Sequence, residues 1–172
     1  TMAGAIGSDL DGVVIKDALE ERGVDCSAMI HDASRPTTVK QRFMGRAQQR
    51  HPHQILRVDR EVNTPLDQPA SEKLLNLILP LIPEHAAILV SDYAKGVCTP
   101  EILAAVLEEA RRVGVPVIVD PCPGRDYQIY SGATAITPNR LETSRAVGFE
   151  INSQEDAFRA GRQLCSDLKL DY

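Results

Sequence analysis

Apolar residues in "DGVVIKDALEER", residues 11 to 22, recur at helical spacing, and Gly23 follows where a helix needs a stop. "VDCSAMIHD" then predicts a short strand. From Pro36 the texture changes. "TTVKQRFMGRAQQR" and "HQILRVDREV" are β-rich, with Val39, Phe43, Ile55 and Val58 as apolar positions and a polar "QQRHPH" between them, so they predict two strands of a hairpin or small sheet. Beyond Pro69 helix and strand alternate. "SEKLLNLILPLI" predicts a helix, "AAILVSDY" a strand with a polar end, and "TPEILAAVLEEARRVG" a helix. Thr99 is placed to cap that helix, Pro100 suits its first position, and Glu101 sits where the helix dipole favours a carboxylate. "VPVIVDP" is nearly all apolar, as strands buried on both faces of a parallel sheet are, and "GATAITP" is a third strand candidate. Two helical stretches close the pattern, "NRLETSRAVG" and "SQEDAFRAGRQLCSDLK", the second with Ser153 as cap and Asp156 three residues on.

Strand and helix in alternation imply an α/β fold, a parallel sheet with right-handed crossovers and helices on its faces. Ligands of such sheets bind outside the carboxyl ends of the strands. Polar residues gather at those ends: Ser91, Asp92, Tyr93 and Lys95 after one strand, Asp120 after the next, Asn139 with Glu142 after the third.

Totals narrow the classes. At 172 residues the chain suffices for about one domain, and 43% hydrophobic with 25% charged residues is a globular composition. Net charge is -5 with Lys and Arg dispersed, so nothing offers a nucleic acid the cationic stripe that counterion release requires. No apolar run approaches the roughly 20 residues that span a bilayer. Four cysteines, Cys26, Cys98, Cys122 and Cys165, lack zinc or disulfide spacing and suit reduced thiols in a cytoplasm. A first residue of Thr1 and a last stretch "LKLDY" suit a piece of a longer protein.

Each polar feature has a plain structural reading. Asn139 and Glu142 would cap a helix in any protein, Asp120 before Pro121 can simply end a strand, and Asp92 and Lys95 can be solvated turn residues. Arg42, Arg46, Arg50, Arg57 and Arg60 suit a soluble β edge as well as a substrate. His31, His51, His53 and His85 show no metal-ligand arrangement.

"SDYAKG", "VIVDP" and "GATAITPNRLE", in this order and spacing, resemble the ribokinase-like carbohydrate kinases of the phosphofructokinase-B type, and within them the D-glycero-D-manno-heptose 7-phosphate kinases. "GSDLDG", "TTVKQRFMGRAQQ" and "ILRVDRE" extend the resemblance over nearly the whole chain. It implies a partial kinase domain over residues 1–172 with helices on both faces of a parallel sheet, and a small β lid, segments 37 to 46 and 54 to 62, that covers the sugar and joins a homodimer. It implies phosphoryl transfer from ATP, with magnesium, to a sugar phosphate hydroxyl in a cytoplasmic lipopolysaccharide pathway. Asn139 and Glu142 match the family's Asn-x-x-Glu element, which arranges magnesium and the ATP phosphates, and Asp120 sits where a further acid assists. Asp92 and Lys95 then lie near the junction of sugar and phosphate. Lys40, Arg42, Gln48 and Arg57 become lid candidates for a phosphorylated sugar.

Two departures stand out. Related kinases often carry a Lys soon after Asp-Pro, whereas Cys122 and Pro123 follow here, so that phosphate contact is either missing or supplied by Arg125. The Gly-Ala-Gly-Asp element that holds the family's general base is absent from these residues, so the resemblance places the base beyond Tyr172 and implies that this chain alone is inactive. No His-x-Gly-His element marks the nucleotidyltransferase domain that some relatives carry. The competing readings are a noncatalytic sugar-phosphate-binding or dimerisation module, and a kinase for another sugar or a nucleoside.

Overall fold

A strand that the hydrophobic pattern does not announce, Ala3–Gly7 (β1), begins the chain in the computed structural model, which describes residues 1–45 and 51–171. Its sequence AGAIG is too small and glycine-rich to show strand alternation; the parallel partner Ala28–Asp32 (β2) supplies what local propensity does not. Packing divides the chain into two compact units, Thr1–Leu74 and Leu75–Tyr172.

In the first unit a helix, Leu10–Glu20 (α1), connects β1 to β2. Ile6, Cys26, Ala28 and Ile30 are buried, while Leu10, Val13, Val14 and Ile15 stay exposed. The helical period in "DGVVIKDALEER" therefore marks a helix but not a core-facing stripe. Asp9 starts α1, its Oδ1 accepting the Gly12 N–H at 2.9 Å. The same carboxylate accepts the Thr37 hydroxyl at 2.6 Å and the Thr37 N–H at 2.9 Å. Such an approach needs glycines on both sides. A Cβ at Gly12 would lie 2.4 Å from the Gly7 carbonyl oxygen, and one at Gly7 would lie 2.6 Å from the Thr37 nitrogen.

Thr37 leads into an antiparallel ribbon, Val39–Gly45 (β3) and His53–Arg60 (β4). Register alternates its faces: Val39, Gln41 and Phe43 oppose Arg60, Val58 and Leu56, whereas Lys40 and Arg42 oppose Asp59 and Arg57. A bulge between Phe43 and Met44 takes Ile55 out of the ladder, which is why Ile55 and Val58 fall out of period in the sequence. Phe43, Ile55, Leu56 and Val58 are all exposed, so these apolar positions form no core within the chain. Arg46, Gln48 and Arg50 lie outside the described residues.

Past Gln68–Ile78 (α2) the expected long helix tightens into a 3-10 turn over Leu79–Glu84, where Pro80 and Pro83 withhold the N–H groups an α-helix needs. The second unit carries a three-stranded parallel sheet, Ile88–Ser91 (β5), Val117–Asp120 (β6) and Ala135–Ile136 (β7), in that spatial order. Between β5 and β6 runs Pro100–Val113 (α3), capped by Thr99 and ended by left-handed Gly114. Ile102, Leu103, Val106, Leu107 and Ala110 of α3 are buried, as are Val117 and Val119 of β6. Burial of β6 on both faces does not hold. Leu89 and Ile118, paired across the sheet, are exposed, because α3 is the one α-helix inserted among these strands in the described residues and covers one face. Arg140–Val147 (α4) and Gln154–Leu168 (α5) pack on one another after β7. Ser153 caps α5, but the Asp156 carboxylate takes the Asn152 N–H, at 3.3 Å, and the Ser153 hydroxyl, which makes a looser arrangement than a full capping box.

Candidate active site

The strands of the second unit end level. Ser91 pairs with Asp120, the Asp92 N–H donates to the Asp120 carbonyl at 3.0 Å, and the Thr137 N–H donates to the Val119 carbonyl at 2.9 Å. This register carries Asp92, Asp120 and the start of α4 to one edge, as the alternation of elements implied.

Asp92 is drawn inward, its side chain 1% exposed. Its Oδ1 accepts the Ala94 N–H at 2.8 Å, in a turn where Ala94 takes the left-handed φ of 50°. Its Oδ2 accepts the Tyr130 hydroxyl at 2.7 Å and pairs with Arg125 Nη1 at 2.6 Å. The Tyr130 hydroxyl in turn accepts the Cys122 N–H at 3.2 Å. Burial, reinforced by the bond to Asp92, pushes the Tyr130 pKa up, so the phenol remains a donor. Asp92 and Arg125, read separately from sequence, are thus direct partners.

Asn139 and Glu142 form a reciprocal capping box: Asn139 Oδ1 accepts the Glu142 N–H at 3.0 Å and Glu142 Oε2 accepts the Asn139 N–H at 2.8 Å. The pair spends one carboxylate oxygen and one amide oxygen on the helix start. Electrostatics show what else lies close. Burial raises the pKa of the Cys122 thiol, with Asp92, Arg125, Lys95 and Glu142 all acting on it. Burial, then Glu142, Cys122 and Asp120, pushes Tyr127 up to about 12. Five of the sequence-predicted residues therefore act electrostatically on Cys122 or Tyr127.

Among the described residues no group of three or more His, Cys, Asp and Glu is placed to hold a metal. The edge offers a metal two part-exposed carboxylates on separate elements, Asp120 at the end of β6 and Glu142 in the first turn of α4. That suits magnesium, which keeps several waters and takes one or two carboxylates beside substrate phosphates, and does not suit a closed zinc site.

On the ribbon, Lys40 bonds Asp59 at 3.1 Å and Glu61 at 3.2 Å, which raise its pKa, and Arg57 bonds Asp59 at 2.8 Å. Arg42 faces Arg57 directly across the strands.

Two residues of the edge escaped sequence reading, Tyr127 and Tyr130. They sit in a 3-10 turn, Tyr127–Tyr130, started by Asp126, and their rings meet edge-on with centroids 5.7 Å apart. The available signal was "DYQIY": a cap residue and two aromatics three apart, the spacing that aligns side chains in such a turn.

A parallel sheet with a polar carboxyl edge is the architecture of an α/β ligand-binding domain. The chain belongs to the pfkB family of carbohydrate kinases, whose family model matches residues 1–169. It is similar to the bifunctional protein HldE of Geobacter metallireducens, 38% identical over 170 residues that cover 99% of this chain and 34% of that protein. The HldE protein of Geotalea uraniireducens is 40% identical over 166 residues, 96% of this chain and 33% of its own length. The chain thus spans about a third of the length of the curated relatives it matches. Among solved structures, Arabidopsis thaliana ribokinase complexed with ribose and ATP superposes at a TM-score of 0.66 with 19% identity, over 98% of this chain and 52% of that one. The tetrameric inhibited form of Escherichia coli phosphofructokinase-2 gives 0.67 with 14% identity, over 96% and 52%. The fold is the ribokinase-like α/β fold that the motifs implied.

Proposed function

We propose that the full-length protein transfers a phosphoryl group from ATP to a hydroxyl of a sugar phosphate, D-glycero-D-manno-heptose 7-phosphate, in the cytoplasm. The observation that carries this is the level ending of β5, β6 and β7, which brings Asp92 with its partner Arg125, Asp120 and the Asn139–Glu142 helix start to one edge in a chain of a carbohydrate kinase family. Phosphoryl transfer asks a protein for positioning and charge neutralisation more than for covalent chemistry. Asn139 and Glu142 orient the nucleotide phosphates and, with Asp120, hold magnesium. Arg125 offers further guanidinium donors where relatives use a Lys, and Lys95 faces the junction with the sugar. Bound magnesium supplies charge neutralisation on the phosphates.

A phosphorylated acceptor is supported by the ribbon. Arg42 lies directly opposite Arg57, which also bonds Asp59, and the two guanidiniums on one face of the ribbon suit a phosphate. Lys40 and Gln48 belong to the same lid in this reading. The exposed face with Phe43, Leu56 and Val58 suits a second copy of the chain, a homodimer through the lid. The 172 residues contain no Gly-Ala-Gly-Asp element, so the chain alone is expected not to turn over. ATP consumption by the full-length protein across phosphorylated sugars tests the proposal: selective turnover with the heptose phosphate supports it. Sugar-phosphate binding without turnover by the full-length protein refutes it and favours the noncatalytic module.

A further inference from the structure

The Asp92 carboxylate ends β5 at the proposed site, yet with a side chain 1% exposed it offers a sugar no surface. Its donors come from three separate places: the Ala94 N–H of the loop after β5, the Arg125 guanidinium of the loop after β6, and the Tyr130 hydroxyl of the 3-10 turn. Tyr130 also binds the second loop at its root, through the Cys122 N–H. No buried side-chain polar atom of the described residues is left unsatisfied, so this is a closed network, of the kind that fixes one arrangement of its members.

The geometry points to Tyr130 and Asp92 as positioning residues for Arg125. Together they lock the loops after β5 and β6 to each other. The consequence is a division of labour. Arg125 shares one side with Asp92, which is buried and fixed, and its side chain remains 26% exposed, so the guanidinium is held in a chosen direction rather than left to sweep the edge. A Lys soon after Asp-Pro, as the resemblance implies for related kinases, would bring its own long side chain to the phosphate. Here Cys122 instead gives its N–H to Tyr130, and the cation arrives three residues later on a restrained arm. This inference rests on the reading of the edge as a nucleotide site.

The test is a double-mutant cycle in the full-length protein, reading ATP affinity by calorimetry together with kcat and thermal stability. Tyr130→Phe keeps the ring and removes the hydroxyl; it is expected to weaken ATP binding by about tenfold, the worth of roughly one well-placed hydrogen bond, while kcat barely moves. Arg125→Ala is expected to weaken it at least as much, and the double variant no more than Arg125→Ala alone, because Tyr130 acts through Arg125. Additive losses, or a Tyr130→Phe protein with lowered stability and unchanged ATP affinity, overturn the positioning role while the nucleotide site stands. Unchanged ATP affinity in Arg125→Ala overturns both. Should Tyr130→Phe fail to fold, Asp92→Asn runs the same cycle, since it keeps an acceptor for Tyr130 and removes the charge that holds Arg125.

Discussion

At the base of the ribbon, Asp9 accepts hydrogen bonds from Gly12 and from both donors of Thr37; at the sheet edge, Asp92 accepts from Ala94, Tyr130 and Arg125. Each carboxylate ties together segments about thirty residues apart. Their surroundings differ. The Asp9 side chain is 31% exposed, with Arg60 reaching it and Asp11 from solvent, whereas Asp92 is buried. Water can replace a lost partner at Asp9 and cannot at Asp92, so similar bond inventories have unequal consequences. A bond at the exposed junction orients the ribbon's first strand cheaply; a bond at the buried edge commits the loops that the proposed reaction needs.

The largest expected effect breaks the buried network. Asp92→Ala leaves Tyr130 and Arg125 without their shared acceptor and should cost roughly 2 to 4 kcal/mol in urea unfolding, discounted for the part-exposed Arg125. Asp9→Ala should cost clearly less, and equal losses would erase the contrast. Next comes Gly12→Ala, whose new Cβ meets the Gly7 carbonyl oxygen at 2.4 Å; a loss of about 1 to 3 kcal/mol is expected, because backbone rather than a flexible side chain must yield. Asn139→Ala should cost about 1 kcal/mol and Asn139→Ser almost nothing, since serine also caps. If both lower ATP affinity alike, the amide acts on the nucleotide beyond its cap.

The smallest effect is a titration. Hydrogen bonds from the Thr37 hydroxyl, the Thr37 N–H and the Gly12 N–H lower the Asp9 pKa from 3.8 to about 2. The sign follows: the folded protein binds this proton less readily, so the stabilisation is complete above the unfolded pKa and is lost as pH falls through about 2. NMR titration of the Asp9 carboxyl carbon checks it, and a midpoint near the ordinary carboxylate value would mean that Thr37 does not hold it.

Local signals carried much of this molecule. Thr99, Asn139 and Ser153 each announce a helix that starts at the next residue, and each forms its cap by accepting the N–H three residues ahead. Alternation of strand and helix located the edge, since parallel register converts sequence order into spatial neighbours. The buried network was not legible, because Asp92 finds Arg125 and Tyr130 across separations of 33 and 38 residues that no periodicity encodes. β1 was missed for the opposite reason: AGAIG has almost no side chain to pattern, and its state is decided by the strand beside it. Nor could sequence tell that Ile118 would face solvent, for coverage depends on which elements pack above a face.

Cap and chemistry meet at Glu142, and one substitution separates them. Glu142→Gln retains an oxygen to accept the Asn139 N–H and removes only the charge. Magnesium-dependent ATP binding by the full-length variant, measured by calorimetry, should fall by about tenfold or more with thermal stability unchanged. ATP affinity equal to that of the parent protein, at equal stability, would show that the Asn-x-x-Glu element only starts a helix and would contradict the assignment of this edge as the nucleotide site.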